Sequence, residues 1–376
     1  MDIFEVAPPG RPSRWRGPLH EIDRWEWRLG DGIDPAAALS DFLAEHGLGG
    51  PLAEQRTGET AVALLAGAAG CSRLAGLSTG AASPVPAVPD LVVVAVRRGE
   101  GALRAPLRSP DVGEWRTTWS DVEHAAAVEQ VRAQIALGNC YQANVVGHRS
   151  AVHRNDPRDL AHAVAGIAAR YGGVLGGAGW AVGCASPEQL VRVEGDRITT
   201  EPVKGTRRIA PGSREELLAS DKDRAEHVMI VDLERNDLSR VAAAGSVAVD
   251  QLYEVSEWAG LWHAASTVSA RLRPDANVLD VLRAVAPSGS VTGAPKRAAL
   301  HVLAELEPVG RGPAMGALGL IWPGGLDLGL TIRTVAADSE SVHLWAGGGI
   351  TWGSDPAEEV DEAHAKAGPV LRALSG

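Results

Sequence analysis

The stretch Glu201-Pro202-Val203-Lys204-Gly205-Thr206 places a lysine on a short, stiff connection between a proline and a Gly-Thr turn. An amine held that way can be aimed and partly desolvated, which is how a lysine becomes a nucleophile. Exposed loops also carry lysines for no chemical reason. Of 36 basic residues only Lys204, Lys222, Lys296 and Lys366 are lysine, the rest being arginine. Arginine serves wherever a positive charge suffices, so a retained lysine points to a need for a compact, deprotonatable amine.

Other side chains could act with it. Glu188, after Ala185-Ser186-Pro187 and before the strand-like Leu190-Val191-Arg192-Val193, is either a general acid, if burial raises its pKa, or a surface carboxylate at a strand end. Alternation through Cys140 to Val146 puts Gln142 and Asn144 on one face, turned either to solvent or to a pocket. Glu359, Glu362 and Lys366 are spaced i, i+3, i+7 and share one helix face. They are either solvated or, if the glutamates meet Glu226 across a cleft, in need of a hard cation such as Mg²⁺. Arg333 lies among apolar neighbours and calls for a carboxylate, internal or from a ligand. Gly347-Gly348-Gly349 permits close backbone approach to something bound. The small-residue loop Pro287 to Lys296 feeds a helix with Pro295 at N1, and its amides suit an anion, although the phosphate-loop spacing is absent. Gly177-Ala178-Gly179 lacks the third glycine and the helix of a dinucleotide site, so its glycines are read as allowing close strand approach.

Elements must position these groups. At 376 residues the chain exceeds one ordinary core, so two domains or one large multilayer domain is expected. A net charge of -11 without a basic stripe disfavours a nucleic-acid surface. Cys71, Cys140 and Cys184 are odd in number and lack paired ligand spacing, which points to neither a disulfide framework nor a zinc site. Asp2 and Glu5 without an apolar h-region, and no membrane-length apolar run, make a reducing cytoplasm the expected location.

Residues 1–118 read as a strand-rich supporting region without visible chemistry. Pro8-Pro9-Gly10-Arg11-Pro12 is a turn-rich entry, Gly80 to Pro89 a loop, and Thr60 to Ala66 and Leu91 to Val96 buried strands. Ser120 and Glu123 make a capping box that opens a helix ended by Gly138. Helices follow from Ser213 and from Lys222 to Leu238, the latter burying Val228, Ile230, Val231 and Leu233. Its Asp232, Arg235, Asn236 and Asp237 read as an ion-pair and capping network. The helix after Pro295 ends near Gly310, Leu318 to Ile321 and Leu328 to Val335 read as strands, and Asp355-Pro356 caps a final helix.

From about Ser120 onward the chain resembles the chorismate-utilising enzymes: anthranilate synthase component I, aminodeoxychorismate synthase component I, isochorismate synthase and salicylate synthase. The likeness is carried, in the family's order, by SPEQLVRV, EPVKGT, DKDRAEHVMIVDLERNDLSRV, PSGSVTGAPK, TIRT and AGGGITWGSDPAEEVDEAHAK. It implies an α+β fold of two packed antiparallel β-sheets flanked by helices, with the active site in the cleft between them. Residues 119–376 would then be the chorismate-binding catalytic region, forming one large globular unit with residues 1–118. The resemblance implies that Glu226, Glu359 and Glu362 surround Mg²⁺, which holds the ring carboxylate of chorismate. The loop Ser290 to Gly293, with Thr292, and Lys366 would help bind that carboxylate, and His263 matches a histidine near it. Arg333 and the backbone of Gly347, Gly348 and Gly349 would hold the enolpyruvyl side chain, with Gln142 and Thr206 also in the substrate-binding set. Glu188 matches the family's general acid.

Two positions discriminate among the family's reactions. Members that add water carry a lysine where Gln142 stands, and members that aminate at C2 carry an alanine where Lys204 stands. Gln142 with Lys204 therefore implies amination at C4, with Lys204 as nucleophile and Glu188 as acid. The alternatives are C2 amination of the anthranilate synthase type and a chorismate-binding homologue without turnover. No glutaminase-like Cys/His/Glu arrangement is visible, so ammonia would come from a separate glutamine amidotransferase. The family's RGxYxG tyrosine is replaced by Ala314, which removes one hydrogen bond to a charged group, about 1.5–3 kcal/mol if nothing replaces it. Asn139 stands where an aspartate is usual.

Overall fold

The computed structural model describes residues 4–6, 15, 19–55, 57–99, 108–258 and 261–375. Two antiparallel sheets dominate it. With strands numbered in chain order, the first sheet runs β1 (Phe4–Val6), β7 (Tyr171–Gly177), β8 (Trp180–Ser186), β17 (Thr334–Ala337), β18 (Ser341–Ile350), β6 (Gln142–Val152) and β14 (Gly293–Ala294), with β5 (Arg116–Thr117) beside β6. The second runs β11 (Val203–Arg208), β13 (Leu261–Arg271), β10 (Arg197–Glu201), β9 (Gln189–Glu194), β16 (Gly325–Leu330), β15 (Ala317–Trp322), β3 (Ala61–Ala66), β4 (Leu91–Arg98) and β2 (Leu19–Trp27), with β12 (Ala248–Trp258) beside β13. The helices are α1 (Pro35–Glu45), α2 (Ala68–Leu74), α3 (Asp121–Ala136), α4 (Pro157–Ala165), α5 (Ser213–Ala219), α6 (Asp221–Ser239), α7 (Val278–Val285), α8 (Lys296–Leu306) and α9 (Pro356–Leu374). This is the α+β architecture expected. Among the described residues no helix is long and apolar enough to cross a membrane.

Local chemistry explains most boundaries. β3 and the apolar run of β4 are buried on both faces, which is why they read as continuous Val/Leu/Ala stretches rather than as alternating ones. The Ser120–Glu123 capping box is formed in both directions and opens α3. Asp355 caps α9 by accepting from the amides of Ala357 and Glu358. Ala178-Gly179 is the tight turn of the β7–β8 hairpin, with Gly179 at φ +77°. Gly183 lies flush against the backbone of Ala161 in α4, leaving no room for a side chain. Cys71, Cys140 and Cys184 are buried thiols. The Pro8 to Pro12 entry lies outside the described residues.

Four readings are corrected. Pro295 is the N-cap of α8 rather than its first helical residue, and α8 stops at Leu306. Glu307 precedes Pro308, whose ring disfavours helical backbone in the residue before it. Leu328 to Val335 is not one strand: β16 ends at Leu330 in the second sheet and β17 begins at Thr334 in the first. Three residues, Thr331-Ile332-Arg333, carry the chain across, with Arg333 at φ +50°. On α6 the buried stripe is His227, Ile230, Val231, Glu234, Asp237 and Leu238, whereas Val228 is exposed and Leu233 only half-buried. The i, i+3, i+4, i+7 geometry of a helix face selects the first set, and Leu233 falls one residue off it. Of the polar group on that helix, Asp232 pairs with Arg235 at the surface, whereas Asp237 is buried against Lys296 at 2.5 Å.

Candidate active site

The centre of the first sheet supplies the floor of the site. Along β18, Gly347, Gly348 and Gly349 lie opposite Val146, Val145 and Asn144 of β6. A Cβ on Gly348 would fall 2.8 Å from Glu359 Oε2, 3.5 Å from Glu362 Oε1 and 3.8 Å from Lys366 Nζ. A Cβ on Gly349 would meet the Gln142 carboxamide and lie 2.9 Å from Lys204 Nζ. The missing side chains are therefore what lets these five residues converge from β6, β11 and α9. Gln142 is fully buried, yet among the described residues neither its Oε1 nor its Nε2 has a hydrogen-bond partner. Leaving such an amide unpaired costs about 1–3 kcal/mol, which a polar ligand seated against it would recover.

Lys204 reaches this point by a device that is not a turn. β11 pairs with β13 at Val203↔Ala265 and again at Thr206↔His263, so Lys204 and Gly205 both oppose the single residue Ala264. Gly205 at φ +85° makes this a glycine-containing β-bulge, which redirects the lysine. Glu188, immediately before β9 in the same sheet, is 6% exposed. Burial pushes its carboxyl up to about 7, opposed by hydrogen bonds from the Ser290 hydroxyl and the Val203 amide and by the nearby Lys204 and Lys366 ammonium groups. Arg333 is half-buried at the crossing between sheets, and burial lowers its pKa against the opposing charge of Glu188. His263 is buried beside it, and burial and then the Arg333 charge push its imidazole down to about 4.

Lys366 donates to the Gly347 carbonyl at 2.9 Å and pairs with Glu362 at 2.5 Å, so its amine is anchored at the rim of the glycine strand. The loop between α7 and α8 is bracketed by cis peptide bonds before Pro287 and Pro295. Ser290 faces Glu188, but the Thr292 hydroxyl donates to the carbonyl of Ser288 at 2.7 Å and holds the loop's own shape. Gly293, at φ +140°, packs against the Gln142 backbone, where a Cβ has no room. The Thr206 backbone pairs with His263, and its side chain lies outside the described residues. Arg311 is a structural clamp, bonding Glu307 and the carbonyls of Val291 and Asn144, and Ala314 beside it is buried.

Among the described residues no group of three or more His, Cys, Asp or Glu side chains is drawn together closely enough to hold a metal unaided. The glutamates of α9 nonetheless suit a hard cation: Glu359 and Glu362 direct carboxylate oxygens at one point above Gly348. Mg²⁺ is held by one or two carboxylates, with water and ligand oxygens completing its shell, so the donor set fits that ion. Glu226 lies half-buried on α6.

Sequence reading passed over a buried acid that lies near the site. Glu234, 2% exposed, sits on the inner stripe of α6 and accepts from Thr200 Oγ1 at 3.0 Å and from Ser288 Oγ at 3.4 Å. The signal was its spacing of three and four residues from Val231 and Ile230, which puts a carboxyl on an apolar stripe.

Residues 91–372 match a family model described as chorismate binding enzyme. The chain is 39% identical over 270 residues to anthranilate synthase component 1 of Streptomyces coelicolor, a match covering 69% of this chain and 53% of that protein. It is 38% identical over 276 residues to aminodeoxychorismate synthase component 1 of Klebsiella aerogenes, covering 69% and 59%. The chain thus spans between half and two thirds of the length of these curated relatives. Its fold matches the crystal structure of anthranilate synthase component I from Streptococcus pneumoniae TIGR4 with a TM-score of 0.76, at 23% identity over 93% of this chain and 92% of that one. With the family model covering most of the sequence and relatives of this similarity on either side of it, the chain belongs to the chorismate binding enzyme family.

Proposed function

We propose that the protein aminates chorismate at C4 with ammonia, yielding 4-amino-4-deoxychorismate and water. The observation that carries this reading is the meeting of the Lys204 amine with the Gln142 carboxamide at Gly349, beneath a buried Glu188. A lysine there can act as nucleophile, and a neutral amide in place of a base gives no means of activating water at that position.

In this mechanism Lys204 adds to C2, the ring double bonds shift, and Glu188 gives its proton to the C4 hydroxyl, which leaves as water. Ammonia then adds at C4, the double bonds shift back, and the Lys204 amine departs from C2. Burial raises the Glu188 pKa to about 7, so a substantial fraction is protonated near neutrality, the state an acid must start from. Arg333 and the backbone of the glycine strand would hold the enolpyruvyl side chain, and His263 and the Ser290 loop would lie toward the ring carboxylate, as the family resemblance implies. Mg²⁺ held by Glu359 and Glu362, with Glu226 as the further ligand the family resemblance implies, would supply positive charge for the ring carboxylate. Ammonia would be delivered by a separate glutamine amidotransferase, in keeping with relatives named as component 1.

The test is mass analysis of products from the purified protein with chorismate, Mg²⁺ and an ammonium salt, beside Lys204→Ala. Aminodeoxychorismate, lost or slowed in the variant, supports the proposal. The similarity to anthranilate synthase component 1 favours C2 amination as the second reading. Anthranilate formed by both proteins would establish that reading, and tight metal-dependent binding of chorismate without product would leave a binding protein.

A further inference from the structure

We propose that Glu234 is a positioning residue for Glu188, restoring its proton through a relay of two serine hydroxyls. Glu234 Oε1 lies 3.4 Å from Ser288 Oγ, Ser288 Oγ lies 3.0 Å from Ser290 Oγ, and the Ser290 hydroxyl faces the Glu188 carboxyl and lowers its pKa. All four residues are buried, so the path runs through the protein and not through solvent. Each serine hydroxyl both donates and accepts and can rotate, so the chain can reverse its direction.

The fold places Glu234 there at a cost, because a carboxyl on the apolar stripe of α6 forfeits its hydration. A residue serving only to tie α6 to the loop could be a neutral amide. Burial and the neighbouring Asp237 raise the Glu234 pKa, while Lys296 and the Thr200 hydroxyl oppose the rise. It therefore retains a proton under conditions in which an ordinary glutamate has none. The charged groups facing the two ends are Lys204, Lys366 and Arg333 at Glu188, and Asp237 and Lys296 at Glu234. Asp237 and Lys296 form a buried pair, so the far end of the relay has a fixed cation near it.

The proposal rests on the reading of Glu188 as the general acid. Once Glu188 has protonated the leaving hydroxyl it is a buried carboxylate. The Glu234 O–H then breaks toward Ser288 Oγ, Ser288 passes its own proton to Ser290 Oγ, and Ser290 passes its own to a Glu188 oxygen. One O–H is lost at Glu234 and one gained at Glu188. Glu234 becomes a carboxylate near the Lys296 ammonium and recovers a proton from solvent between turnovers.

Steady-state kinetics with chorismate, Mg²⁺ and an ammonium salt over about pH 6 to 9 test the relay in the full chain. The proteins compared are the wild type, Glu234→Gln, Ser288→Ala, the double variant and Glu188→Gln. Glu234→Gln should lower kcat about tenfold with KM unchanged, the loss growing as the pH rises above about 7, where solvent protons become scarce. Ser288→Ala should do the same, and the double variant should be no worse than either single one, because both act in one chain. A wild-type profile in both single variants overturns the relay, as does a pH-independent loss accompanied by raised KM, which marks a structural role. If Glu234→Gln does not fold, Ser288→Ala, lacking one hydroxyl, carries the same decision. Full activity in Glu188→Gln would instead remove the acid reading itself, whereas an inactive Glu188→Gln beside an unaffected Glu234→Gln sinks the relay alone.

Discussion

Gly349 and Glu188 show how single positions determine what this cleft can do. An added methyl at Gly349 would lie 2.9 Å from Lys204 Nζ and inside contact distance of Gln142, so Gly349→Ala should reduce kcat/KM for chorismate at least tenfold. Gly353 has nothing within 4 Å of the same added atom, and Gly353→Ala should leave activity unchanged. Steady-state kinetics on the pair separates a blocked site from a general loss of glycine. Glu188 carries a pH signature. Its folded pKa of about 7 exceeds the ordinary 4.5, so the folded chain binds the extra proton between those values. The linked stability is complete below about 4.5 and is lost as pH rises through about 7, on the order of 3 kcal/mol for so buried a group. Glu188→Gln should flatten that slope in urea denaturation measured across this window. The motif strings made Lys204, Glu188, Arg333 and the three glycines legible because each is a residue type that its place requires. Glu234 was passed over because it lies within a charged run, DLERND, where only the helical phase distinguishes an inward acid from a solvated one.

At the scale of elements, the β6–β18 ladder holds the glycine floor, and its outer half is joined by a histidine pair. His148 Nε2 lies 3.0 Å from His343 Nδ1, with Thr118 Oγ1 on the far nitrogen of His148 and Ser341 Oγ on that of His343. A single proton bridges the two rings, so charging both would set two N–H donors against each other. Burial, and then the charge of His343, push His148 down to about 4 from 6.5. Its contribution to stability is therefore present above about 6.5 and lost as pH falls toward 4, up to about 3 kcal/mol. His148→Gln should reduce the loss of stability over that interval relative to wild type, as read from denaturant midpoints. Periodicity and caps gave the type of most of these elements. They could not distinguish a turn from a bulge at Gly205, nor one strand from two across Arg333, because both depend on which neighbour the backbone pairs with.

For the whole molecule, strand order was not legible, since alternation identifies a strand but names no partner. β3 and β4 from the first hundred residues continue the sheet that starts at β11, joined through β15. We propose that residues 1–118 and 119–376 fold as one unit, because the largest apolar cluster takes side chains from both. Calorimetry should show one unfolding transition, and residues 119–376 expressed alone should aggregate, since β15 would present Leu318, Leu320 and Ile321 on an unpaired edge. Two separate transitions, or a soluble and active shorter chain, would refute this. The two sheets are also tied at Thr331-Ile332-Arg333, where the Thr331 hydroxyl bridges the Pro313 carbonyl and the Gly316 amide. Three residues reach roughly 10 Å when fully extended. That leash fixes how far apart the two sheets can stand at Arg333, so any widening of the cleft would have to pivot about this point.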